Sequence, residues 1–265
     1  MLPVETVAHW WLAWAFWAWC LASGCAEPQL APQALPELSS AASPPTALEA
    51  HDLLFAPGEH MAWDVRVRGV SIGTAELAVG GTGVSSPSEL VITSRFRTND
   101  LASSWLSVQH RLITVVRGAE ATSSVDDLVF GRTRRRVEST FSAGVYRVDS
   151  VAHRAPPGAV QLHTLHSALG WMRSWAAPEA QPGHIHIVHR GSLYRLEIGT
   201  PLREPSPGTS TPSLRVDCQA LPVDSRGDGI LLTIWLSDDE RRLPLRLDAV
   251  VDGMRVLADL IDRDP

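Results

Sequence analysis

A two-residue alternation of apolar and polar side chains recurs from Met61 to Val251 and gives way once to a helical period. Successive residues of a strand point to opposite faces, so such a chain builds sheet with one buried face and one mostly solvated face. The clearest stretch is Leu231 to Val251. Leu232, Ile234 and Leu236 alternate with Thr233, Trp235 and Ser237, and Leu243, Leu245, Leu247, Ala249 and Val251 alternate with Pro244, Arg246, Asp248 and Val250. The charged turn Asp238 to Arg242 joins the two runs, which predicts a β-hairpin. A second hairpin is expected where Met61, Trp63, Val65 and Val67 lead through Gly69 to Gly73 into Ala75, Leu77 and Val79. Further strands are predicted over 89–97, 109–116, 134–142, 145–152, 184–188, 193–198 and 214–220.

The helical interruption is Leu162, Leu165, Leu169, Met172 and Trp175, spaced three or four apart. It predicts one amphipathic helix over 162–175 that stops before Pro178. A lone helix among many strands serves to cover or plug a curved sheet. The expected fold is therefore mainly β, a strongly curved antiparallel sheet or incomplete β-barrel with the helix packed against it. A two-sheet β-sandwich is the alternative.

At 265 residues and 45% hydrophobic content the chain can bury one full domain core. The formal charge of -6 leaves no basic excess to neutralise phosphates, so nucleic acid is not an expected partner. No motif calls for a cofactor. Of Cys20, Cys25 and Cys218, two fall in the N-terminal leader, which argues against a disulfide framework.

Val7 to Leu21 is an apolar run broken only by His9, too short to span a bilayer comfortably and suited to a signal peptide over residues 1–24. Leu21-Ala22-Ser23-Gly24-Cys25 resembles the lipobox of bacterial lipoproteins. That resemblance implies cleavage before Cys25, lipidation of its thiol and, with Ala26 next, sorting to the periplasmic face of the outer membrane. The alternative is an uncleaved anchor with Trp10, Trp11, Trp14, Trp17 and Trp19 in the interface. Residues 25–50, rich in Pro, Ala and Ser, read as a disordered tether, and 51–265 as the folded domain.

Three segments together resemble the bacterial family called Domain of Unknown Function 3108: GEHMAWDVRVRGVSIGTAELAV from Gly58, LHTLHSALGWMR from Leu162 and LTIWLSDDERRLPLRLDAVVDG from Leu232. The resemblance implies an exported, mainly β envelope protein without an assigned activity, and it carries over no catalytic residue.

Several residues invite a chemical reading. Gly69-Val70-Ser71-Ile72-Gly73 matches the G-x-S-x-G nucleophile elbow, but that elbow needs a following helix and here a strand follows, so a hairpin is expected, with glycines at positive φ. His163 and His166 fall at i, i+3 of the predicted helix, and His184, His186 and His189 follow on a strand and turn. Imidazoles from different elements can converge on zinc, making these five weak metal candidates beside an ordinary surface or packing role. Asp238, Asp239 and Glu240 are consecutive turn residues and read as turn chemistry. Arg132, Arg134, Arg135 and Arg136 divide between two faces of a strand. Cys218 alternates with Leu214, Val216 and Ala220 and is expected as a buried thiol. Trp235, with Arg246 across the hairpin, lies on the face that core packing does not explain and is the candidate partner-binding pair.

The function expected from these readings is a non-catalytic, lipid-anchored envelope protein that binds a lipid, glycan or protein partner. A periplasmic His-dependent metal hydrolase and a purely structural envelope component are the rivals.

Overall fold

The computed structural model describes residues 46–49, 52–80, 89–105, 107–142, 144–223, 229–251 and 253–264. The signal peptide, Cys25 and most of the expected tether lie outside them. The alternation that predicts strands builds a meander: β1 (His60–Val67), β2 (Val70–Val79), β3 (Glu89–Thr98), β4 (Val108–Arg117), β5 (Glu120–Phe130), β6 (Thr133–Ser142), β7 (Val145–Val148) and β8 (Val151–Arg154). A short helix, α1 (Asp100–Ser103), connects β3 to β4. After β9 (Leu162–His163) comes the long helix, α2 (Leu165–Trp175). The second half comprises β10 (Gly183–His189), β11 (Ser192–Ile198), β12 (Leu202–Pro205), β13 (Pro212–Pro222), β14 (Ile230–Ser237), β15 (Pro244–Val251) and β16 (Met254–Asp264).

β1 pairs with both β2 and β16, so the two halves fuse into one 16-stranded sheet that runs from β8 to β9, with β12 attached beside β13. A single continuous sheet is the curved alternative and rules out the two-sheet sandwich. The sheet curls until β5 to β7 meet β10 and β11. There Tyr146 packs with Val188 and Leu193, and Asp126 lies 3.5 Å from His189. The result is an incomplete barrel whose seam is closed by side chains.

The lumen is filled by α2, and its two flanks explain the spacing that predicts it. Ala168, Trp171 and Met172 join a core with Ile185, Leu196, Val216, Ile234 and Leu236. Leu169 packs against a second core of Met61, Trp63, Leu77, Ile92, Val116 and Leu243. The helix begins later than expected. Thr164 Oγ1 accepts from the Ser167 N–H and Ser167 Oγ accepts from the Thr164 N–H, a reciprocal cap that fixes the first turn at Leu165. Leu162 and His163 instead pair in parallel with β10.

Other boundaries also move. The predicted strand over 145–152 breaks at Asp149 and Ser150, whose φ values of 46° and 74° form a turn. The folded unit starts ahead of His51, because Ala47 bridges His184 and Leu48 packs on the first core. The elbow-like Gly69 to Gly73 is the β1–β2 turn and the start of β2, with no helix after it. Arg68 and Gly69 take the positive φ, whereas Gly73 does not. A Cβ on Gly73 would lie 2.2 Å from the Arg97 carbonyl oxygen, so close approach is what requires glycine there.

Candidate functional site: an apolar cup beside a histidine seam

Leu165, Leu169 and Met172 share one stripe of α2 at i, i+4 and i+7, facing the lumen. Their burial fades along the axis. Met172 is 2% exposed, Leu169 is half-buried against the second core, and Leu165 is 42% exposed. The walls repeat the gradient. On β14 Leu236 and Ile234 are buried and Leu232 is half-buried; on β3 Ile92 is buried and Phe96 is half-buried. From buried Leu243, the inward side chains Leu245, Leu247 and Ala249 are half-buried, as are Ala258 and Val256 on β16. The inward apolar side chains are therefore buried around Arg173 and become progressively more exposed toward Leu165, the end we call the apolar cup.

A polar cluster lines the seam side of this lumen. His110 Nε2 on β4 lies 3.1 Å from Asp126 Oδ1 on β5, while His189 Nδ1 and Arg190 Nε approach the same carboxylate at 3.5 Å and 3.4 Å. Burial pushes the Asp126 pKa up, but the His110 hydrogen bond and the neighbouring positive charges outweigh it and hold the group below its ordinary value. Burial holds His189 below its ordinary value as well. Deeper in, His166 Nδ1 and Nε2 each lie 2.9 Å from a hydroxyl, Thr114 Oγ1 and Ser94 Oγ. Burial lowers the His166 pKa to about 3, so the ring is neutral, one nitrogen donating and the other accepting. Asp126 contacts His110 and His189, and His166 contacts hydroxyls. The acid and the His–hydroxyl pairs thus belong to different imidazoles, and no Ser–His–carboxylate relay is assembled among the described residues.

The five histidines weighed for metal binding fall into two groups, His163, His184 and His186 near β10 and His166 and His189 on the seam side. His163 precedes the helix, is fully buried beside Trp171, and has neither ring nitrogen hydrogen-bonded among the described residues; burial, then the nearby His186, lower its pKa to about 4. His184 and His186 sit edge to face on β10 with ring centroids 5.3 Å apart. His186 is buried, a packing rather than a surface role, on a strand flanked by β9 and β11. Among the described residues no three His, Cys, Asp or Glu side chains are grouped to hold a metal ion.

The remaining candidates resolve locally. Ser71 Oγ donates to Asp64 Oδ1. Cys218 is buried and its thiol pKa is pushed up by burial, which makes it a poor nucleophile. Arg134 and Arg136 pair with Asp127 and Glu138 on the outer face, while Arg135 is half-buried on the other. Asp239 Oδ1 accepts from Ser237 Oγ and from the Arg241 and Arg242 N–H groups, the turn chemistry expected of this segment. Trp235 needs correction. Arg246 lies across the hairpin as expected, 6.0 Å from the indole centroid, but the indole is 6% exposed and donates to Glu204 Oε1. Arg246 also donates to the Pro207 carbonyl, so the chain from Leu202 to Pro212 covers this face. Sequence reasoning missed the seam cluster, since Asp126 and Ser124 sit where a strand normally shows apolar residues.

No family profile matches the chain, and no curated protein does. Among solved structures it is similar to a β-barrel-like protein of Domain of Unknown Function 1849 from Brucella abortus, at 10% identity and a TM-score of 0.52, covering 78% of this chain and 96% of that one. A candidate exported protein with a YmcC-like fold from Bacteroides fragilis aligns at 8% identity and a TM-score of 0.31, covering 82% of this chain and 100% of that one. A candidate lipoprotein from Parabacteroides distasonis aligns at 9% identity and a TM-score of 0.34, with the same two coverages of 82% and 100%. The first likeness is one of fold, a barrel-like sheet. The other two overlap too weakly to add to it.

Proposed function

We propose that this chain is a non-catalytic cell-envelope protein that takes an apolar chain, such as the acyl chain of a lipid, into the cup above Leu165. The observation that carries the reading is the fading burial of the apolar stripe and its walls: Leu165 is exposed, and Phe96, Leu232, Leu247 and Ala258 are only half-buried. Concave apolar surface with polar groups confined to one side is the usual form of a small-ligand site. The lipobox at Cys25 supports an anchor at the membrane, on the periplasmic face of the outer membrane by its Ala26, and the resemblance to Domain of Unknown Function 3108 belongs to the same reading.

Binding of a fluorescent polyene fatty acid to the full chain tests this. Saturable binding that oleate displaces, and that Leu165→Arg abolishes without loss of the β-sheet circular dichroism signal, is expected. Absence of binding, or binding indifferent to Leu165→Arg, would overturn it.

A further inference from the structure

The rim of the cup carries an exposed apolar corner beside arginines that have no carboxylate partner among the described residues. Leu101 in α1 and Trp105 just after it are 65% and 72% exposed. Asn99 caps this helix and also lines an outer depression of about 280 Å³ with Thr74, Glu76, Arg95, Arg97 and Thr98. Between Arg95 and Arg97, on the opposite face of β3, is Phe96 of the cup wall.

Most arginines on this sheet have a carboxylate: Arg66 has Asp64, Arg117 has Glu89, Arg255 has Asp248 and Arg215 has Asp217. Among the described residues Arg95, Arg97 and Arg111 have none. Arg95 and Arg111 are cross-strand partners on β3 and β4, so like charges stand side by side. Asp127 lies opposite Arg111 but is taken by two hydrogen bonds from Arg134. Glu76 lies opposite Arg95 without an ion pair and offsets one charge of the three. In a chain of net charge -6 this is a local positive strip next to an exposed tryptophan and leucine.

We propose that this corner docks on an anionic phospholipid bilayer, with Leu101 and Trp105 entering the interface and Arg95, Arg97 and Arg111 meeting lipid phosphates. Tryptophan favours the headgroup level and arginine the negative surface of anionic lipid, so the two halves of the corner want the same partner. Docking here turns the mouth of the cup toward the bilayer. The inference takes its purpose from the acyl-chain reading but not its evidence.

Hydrogen exchange of the full chain, resolved by mass spectrometry, separates this surface from any contribution of the N-terminal segment. With vesicles containing phosphatidylglycerol, peptides spanning 95–111 gain protection that pure phosphatidylcholine vesicles do not give. That gain is lost at about 1 M salt, where the Debye length falls to about 3 Å. Arg95→Glu/Arg97→Glu and Leu101→Ser/Trp105→Ser each lose it while keeping the protection of β13 to β15, which reports an intact fold. Overturning results are no gain over 95–111, an equal gain on neutral vesicles, or a gain unchanged in both variants. Fatty-acid binding retained without this protection would sink the docking alone, and protection retained without fatty-acid binding would sink the cup alone.

Discussion

Arg173 and Glu59 form a two-bond ion pair, Nη2 to Oε1 at 2.7 Å and Nη1 to Oε2 at 3.1 Å, in which each side chain is 2% exposed. The same guanidinium donates to the Arg241 and Arg242 carbonyls and lies 5.2 Å from the centre of the Phe55 ring. These hydrogen bonds tie the last turn of α2 to the start of β1 and to the β14–β15 turn, closing the lumen at the end opposite the cup. Arg173→Met leaves a carboxylate buried without its partner, and Glu59→Gln leaves a guanidinium so. Each is expected to cost about 3–5 kcal/mol in urea unfolding, with the double variant costing less than the sum. Single losses under about 1 kcal/mol would mean that the pair does not secure this end.

This junction also shows what a sequence can and cannot disclose. The three segments behind the family resemblance each contribute to it, Glu59 from the first, Arg173 from the second, Arg241 and Arg242 from the third, yet nothing in their spacing says that they meet. Strands with apolar inward positions, such as β1 and β14, are legible from alternation. β5 is not, because Ser124 and Asp126 face inward and erase the pattern. The cup escapes sequence reading for another reason: whether Leu165 is core or lumen depends on where α2 begins, and the Thr164–Ser167 cap sets that position. Trp235 is misread because its cover, the chain from Leu202 to Pro212, is rich in Pro, Ser and Thr and looks like an idle loop.

The buried histidines predict acid sensitivity. His163 falls from an ordinary 6.5 to about 4 and His166 to about 3, both chiefly through burial. As the pH drops, the unfolded chain takes up these protons first. Stability is therefore complete above 6.5 and is lost as the pH falls from there through about 4, by up to about 1.4 kcal/mol per pH unit for each ring. His163→Leu removes two ring nitrogens that have no partner among the described residues. It should stabilise by about 1 kcal/mol at pH 7 and flatten the decline between pH 6.5 and 4. Urea unfolding at several pH values checks both, and a variant less stable at pH 7 with an undiminished acid slope would contradict them.

Covering Trp235 makes it a stability residue. Trp235→Ala is expected to cost about 3–5 kcal/mol by opening a cavity between Arg246 and the Pro207 segment. Trp235→Phe keeps most of the volume and loses the Glu204 bond, at about 1 kcal/mol. Because the cover depends on the indole, limited proteolysis within 202–212 should accelerate in Trp235→Ala. Unchanged cleavage there would show that the loop holds its place by β12 pairing alone.

Gly170 sets local propensity against packing. In an exposed helix interior, Gly→Ala stabilises by about 1 kcal/mol. Gly170, however, is buried in the middle of α2, and a Cβ there would sit 2.3 Å from Phe55 Cε2. The ring has little room to move, since Phe55 is itself buried, packs on the second core and lies against Arg173, and the Leu54 N–H donates to the Gly170 carbonyl. Overpacking typically costs about 1–3 kcal/mol, enough to exceed the propensity gain, so Gly170→Ala should be net destabilising. In a Phe55→Leu background the obstacle is gone and the same substitution should become neutral or stabilising. A double-mutant cycle by chemical denaturation reads the difference directly. Gly170→Ala that stabilises in both backgrounds would show that the segment before β1 yields to the helix, and that α2 is held in the lumen by its Ala168, Trp171 and Met172 flank alone.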